Sequence, residues 1–71
     1  MEHAGVSGLF PFSLEQQVQC IEREIAMRTR VYSRFVSERR MTQAKADHEL
    51  GAMRAVLTTL KSLQENANAT A

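Results

Sequence analysis

The chain has 71 residues, enough for one domain and too few to bury much of its own surface. Small chains are usually held together by disulfides, a metal or association; the single cysteine, Cys20, excludes an intrachain disulfide, no Cys/His cluster offers a structural metal site, and self-association is what remains. With 44% apolar and 24% charged residues and a net charge of +1, the composition is that of a soluble globular protein and gives no general case for a nucleic-acid or acidic partner.

Residues 1–12 contain Gly5, Gly8 and Pro11, breakers that keep this stretch out of a helix. It is expected to be flexible or extended, with Leu9, Phe10 and Phe12 as an apolar anchor. It carries Glu2 and His3 in place of a basic start and has no long apolar run, so it does not read as a secretory signal.

Ser13 followed by Gln16 makes a capping box, and Glu15 suits the positive end of a helix dipole. The spacing of Leu14, Val18, Ile21, Ile25, Tyr32 and Phe35 predicts an amphipathic helix over residues 14–37. Arg28 occupies the stripe position between Ile25 and Tyr32. Its stem can cover apolar surface while its guanidinium pairs with Glu49 or Asp47 of a second helix, or serves as a polar break that sets the register of a dimer.

A short polar connection, Ser37 to Met41, leads to Thr42 as a cap. A second helix is predicted over residues 43–65, with Ala46, Leu50, Met53, Leu57 and Leu60 as its stripe. The small polar residues 66–71 read as a fraying tail. The predicted organisation is thus a segment 1–12, a helical hairpin over 13–66 and a disordered tail 67–71. Two helices with so short a connection must lie antiparallel, with Phe35 near Ala46, Ile25 near Met53 and Leu14 near Leu63.

One hairpin covers only one side of each helix and leaves Cys20, Met27, Val56 and Leu63 poorly buried. Small residues also recur at helical spacing, at Ala26, Thr29, Ser33 and Ser37 and again at Ala44, Gly51, Ala55, Thr58 and Ser62. The expected fold class is therefore all-α: an antiparallel two-helix hairpin that dimerises into a four-helix bundle. Cys20, Met27, Gly51, Ala55, Val56 and Leu63 form the expected dimer interface. The plainer alternative is a solvated small-residue face.

No catalytic constellation is legible. Asp47, His48 and Glu49 are adjacent on a helix and diverge, so they cannot converge on a metal. Cys20 lies beside the apolar stripe with no histidine placed to activate it, and reads as structural. No acid pair suits acid–base work, and there is no glycine-rich phosphate loop. No enzyme activity, metal or cofactor is expected. Charge is nevertheless uneven. Arg30, Arg34, Arg39, Arg40 and Lys45 crowd the turn, opposed there chiefly by Glu38. This basic tip could contact phosphates or an acidic protein surface, or only be solvated. It lacks the spacing of a DNA-reading motif.

The stretch Cys-Ile-Glu-Arg-Glu-Ile-Ala-Met-Arg from Cys20, the step Arg30-Val31-Tyr32, and Met-Thr-Gln-Ala-Lys-Ala-Asp-His-Glu-Leu from Met41 carry a resemblance. Together they resemble small helical proteins encoded by tailed bacteriophages and prophages. The likeness runs from Cys20 to Leu60, with Arg30–Tyr32 and Gln43 to Asp47 as its most specific parts. Where those proteins often have a proline after the tyrosine, this chain has Ser33. The resemblance implies a compact helical fold and a phage-type origin, and transfers no site residues.

Size, lack of catalytic groups, the basic tip and the apolar segment point to a non-enzymatic accessory protein. It would bind a host bacterial protein, such as a transcription regulator, polymerase or defence complex, and modulate it in the host cytoplasm. Expected partner-binding residues are Arg30, Arg34, Arg39, Arg40, Lys45, Leu9, Phe10 and Phe12. Two alternatives are a nucleic-acid-binding accessory protein using the tip and a structural subunit of a phage assembly. No apolar run is long enough for a membrane span, so no membrane partner is expected.

Overall fold

Ser13 starts the ordered hairpin by closing a reciprocal cap. Its hydroxyl accepts from the Gln16 amide at 3.0 Å, and the Gln16 side chain accepts from the Ser13 amide at 2.8 Å. Two otherwise orphaned amides at the helix start are thereby satisfied. Gln17 adds a side-chain bond to the Phe12 carbonyl at 3.1 Å, tying the entering chain to the first turn. Helix α1 then spans Leu14–Ser37. Helix α2 spans Gln43–Thr70. These come from a computed structural model that describes residues 11–70, with side chains as far as residue 67. Leu9 and Phe10, with the rest of residues 1–10, lie outside the described residues.

α1 ends in a hydrogen-bonded C-cap. The Arg40 amide donates to the Phe35 carbonyl at 2.8 Å and the Arg39 amide to the Val36 carbonyl at 3.0 Å. This is the paired bonding of a Schellman motif, which needs a left-handed residue just past the cap. Arg39 supplies it, with φ of 61°. Glycine normally takes this position, because a Cβ there meets the following carbonyl. The hydrophobic contact that often accompanies the motif is replaced by Arg40, whose guanidinium lies 4.4 Å from the centroid of the Phe35 ring. Arg39→Gly is expected to raise stability by about 0.5–1 kcal/mol, the relieved strain being partly offset by a looser unfolded chain. Thermal unfolding followed by circular dichroism checks this; a lower midpoint would mean that the Arg39 side chain holds the turn.

Thr42 restarts the chain as a helix. Its hydroxyl accepts from the Lys45 amide at 3.1 Å, and its carbonyl from the Ala46 amide at 3.1 Å. Gln43 donates to Asp47 at 2.8 Å one turn on. α2 continues to Thr70, past the end expected near residue 65. Residues 66–70 are polar but contain no glycine or proline, and two are alanine, the strongest helix former. Composition alone suggested a tail there, and the backbone carries no breaker to make one.

The helices pack on each other as an antiparallel all-α hairpin. Lys61 Nζ reaches Glu22 Oε2 at 3.3 Å, joining late α2 to early α1. Val18, Ala46 and Leu50 are buried, and the remaining stripe residues are half-buried. Ala46 is the most enclosed, at 2% exposure. Near the turn, Tyr32 and Val36 share a groove with Ala46 and Leu50.

Arg28 does not reach α2, contrary to the pairing expected with Glu49 or Asp47. Its Nη1 donates to the Tyr32 hydroxyl at 3.1 Å and its Nε to Glu24 at 2.9 Å, both one turn away on α1. The bonds to Tyr32 and then Glu24 hold its pKa above the ordinary arginine value. Partners four residues away meet the guanidinium without spanning the gap between helices. Glu49 pairs instead with Lys45 on its own helix, at 3.3 Å.

Candidate functional site

Two surfaces stand out, and different physics shapes each. The first is the tip. The turn Glu38 to Thr42 and the adjoining ends of both helices bring Arg34, Arg39, Arg40 and Lys45 to one pole, with Arg30 two turns before the end of α1. Two of these cations are engaged. Arg40 bonds Glu38 at 3.3 Å and covers Phe35, and Lys45 pairs with Glu49. Arg30, Arg34 and Arg39 are exposed and form no ion pair among the described residues. The first turn of α2 carries no acidic residue, so the positive end of its dipole is not offset there. Arg39, Arg40, Met41, Thr42, Gln43 and Lys45 line an open depression at this pole.

Sequence reasoning named these five cations but missed Arg23. It is exposed and precedes Arg30 by seven residues, two turns of helix, so it extends the row along the outer side of α1. That spacing was the available signal. The left-handed turn at Arg39 had no such signal, since neither glycine nor asparagine marks it.

The second surface is one broad side of the hairpin. Met27, Val56 and Leu63 are large apolar residues left 41%, 46% and 50% exposed, and Cys20 is exposed as well. At about 100° per residue these four fall on the same side of the helix pair. Gly51 and Ala55 are exposed but turn toward the outer side of α2. A Cβ added at Gly51 would meet nothing within 4 Å. The six residues expected as one interface therefore divide into two patches. Thr29, Ser33 and Ser37, on the opposite broad side, border the groove that also holds Gln43. Phe12, at the far end from the tip, is 63% exposed.

Among the described residues no three His, Cys, Asp or Glu side chains gather as a metal site. His48 is exposed between Asp47 and Glu49, and the three side chains point in different directions. No helix among the described residues is long and apolar enough to cross a membrane. No family model matches the chain, and no curated protein or solved structure matches it.

Proposed function

We propose that this chain is a non-enzymatic binding protein, a dimer of helical hairpins that engages an acidic surface of a partner protein through its basic tip. One observation carries the reading. Three arginines at and beside the turn lack an acidic partner among the described residues, and one of them, Arg39, occupies a backbone conformation that disfavours any side chain. A strained non-glycine residue held in an exposed turn is the kind of outlier that points to a functional demand on that side chain. Guanidinium groups suit carboxylate recognition because they present a planar fork of donors.

The resemblance to phage-encoded helical proteins supports a bacterial host protein as the partner. A transcription regulator, a polymerase or a defence complex, modulated in the host cytoplasm, fits that class. A second reading, phosphate contact with nucleic acid, is favoured by the row Arg23, Arg30 and Arg34 along α1.

Affinity purification from bacterial lysate, with and without nuclease, separates the two readings. A protein retained after nuclease treatment supports the first; recovery that vanishes with nuclease supports the second. Joint reversal by Arg30→Glu, Arg34→Glu and Arg39→Glu should then weaken binding by on the order of tenfold or more, chiefly through slower association at low salt. Unchanged affinity at low salt would remove the tip from the contact.

A further inference from the structure

The described hairpin buries only Val18, Ala46 and Leu50. An isolated domain of this size with so thin a core needs another surface to close it. The Glu22–Lys61 bridge fixes which residues stand at the same level. Met27 lies five residues past Glu22, and Val56 five before Lys61; Cys20 lies two before, and Leu63 two after. Met27 is thus about level with Val56, and Cys20 with Leu63. By the same count Val31 stands about level with Ala52. These three apolar levels share the broad side facing away from Glu22 and Lys61 and occupy its middle, about 17 Å along α1.

The charges on this side are already compensated. Glu24 is bonded to Arg28 at 2.9 Å, and Lys45 to Glu49 at 3.3 Å. An incoming surface therefore meets an apolar strip flanked by neutralised pairs. The opposite side carries Asp47, Arg54, Glu22 and Lys61, with Thr29 and Ser33 between them.

We infer that this apolar side is the seat of a second copy of the chain, stacked so that the two basic tips point in opposite directions. The inference rests on the dimer reading above and assigns its face and symmetry. The whole broad side, its apolar middle together with the paired charges beside it, is about 36 Å long, the length of α1, and about 20 Å wide, which gives roughly 700 Å² per copy. Both copies together then cover about 1,400 Å², the size of an ordinary stable interface. A twofold axis can stack the two faces with the tips together or apart. Placing them together would bring Arg34 and Arg39 of both copies, which form no ion pair among the described residues, to one end. Placing them apart lays α1 on α1 and α2 on α2, each antiparallel, as in an up-and-down bundle. The midpoint of α2 falls between residues 56 and 57, half of 43 plus 70. Val56 then lies close to the twofold axis and meets its own copy.

Sedimentation equilibrium at micromolar concentration is the test. The wild type should be dimeric. Met27→Glu and Val56→Glu should each weaken the dimer at least about a hundredfold, since each places an unpaired charge in the seam. Gly51→Glu and Ala55→Glu, on the outer side of α2, should leave it unchanged. In a Cys20→Ser chain, Val56→Cys should form an intersubunit disulfide on mild oxidation, a readout that holds even if the glutamate variants unfold. A monomeric wild type would overturn the dimer reading, and this inference with it. A dimer that survives Val56→Glu, or is lost in Gly51→Glu, would overturn the face while leaving the dimer standing. A stable dimer in which Val56→Cys fails to cross-link would overturn the opposed arrangement.

Discussion

Leu50→Ala is expected to cost about 2–4 kcal/mol, a large share of what so small a domain possesses. Leu50 is one of three residues buried among those described, and it faces Tyr32 and Val36 across the seam. Removing its branched end deletes apolar burial, and the cavity left behind can refill only if α1 moves inward. α1 cannot move freely there, because its C-cap is bonded into the turn a short distance away. The thermal midpoint should therefore fall on the order of 10–20 °C. Circular dichroism against temperature measures it. A shift of only one or two degrees would mean that the seam near the turn contributes little to stability.

The second large effect runs the other way in volume. Ala46→Leu should destabilise by about 1–3 kcal/mol through overpacking. Ala46 is 2% exposed, at a point where the helices have barely separated after the turn. A larger side chain there must either leave its preferred rotamer or push α1 outward, which would strain the Arg39 and Arg40 bonds. The same substitution at Ala44, exposed two residues earlier, should change stability by no more than about 0.5 kcal/mol. Equal effects at both positions would show that helix propensity, and not close approach, sets the requirement at residue 46. Leu50→Ala and Ala46→Leu together test whether the seam has one preferred spacing.

The architecture was largely legible because its signals are local. Ser13 and Gln16 are a cap that can be read directly, and the four-and-three spacing of Val18, Ile21 and Ile25 names the inward side of α1. Thr42 announced the restart of the chain in the same way. What escaped reading depended on competition between partners. Arg28 had acids available on both helices, and only the structure shows that Tyr32 and Glu24 take it. The left-handed residue fell on Arg39 because the bond from Arg40 to Phe35 had to close, whatever side chain stood there. At the far end α2 runs on to Thr70, and Asn66 to Thr70, though polar, contain nothing that stops a helix. As for the two surfaces, the arginines could be counted in the sequence, but not which of them lack an acid among the described residues. The apolar residues could be counted too, but not that Gly51 and Ala55 turn away from Met27 and Val56.

Among the described residues the three that are buried are unevenly distributed, and that has a kinetic consequence. Ala46 and Leu50 sit in the first two turns after the connection, whereas α1 offers only Val18 toward the other pole. Contacts near the connection close the shortest loops and cost the least chain entropy, so the search for the native pairing starts there. Folding should then advance like a zipper from the turn, with the pole that carries Leu14 and Leu63 joining last. Unfolding would run in reverse, and amide protons near that distant pole would exchange through partial openings that never reach Leu50. The end that holds the basic side chains is thus also the end that persists longest as the molecule comes apart.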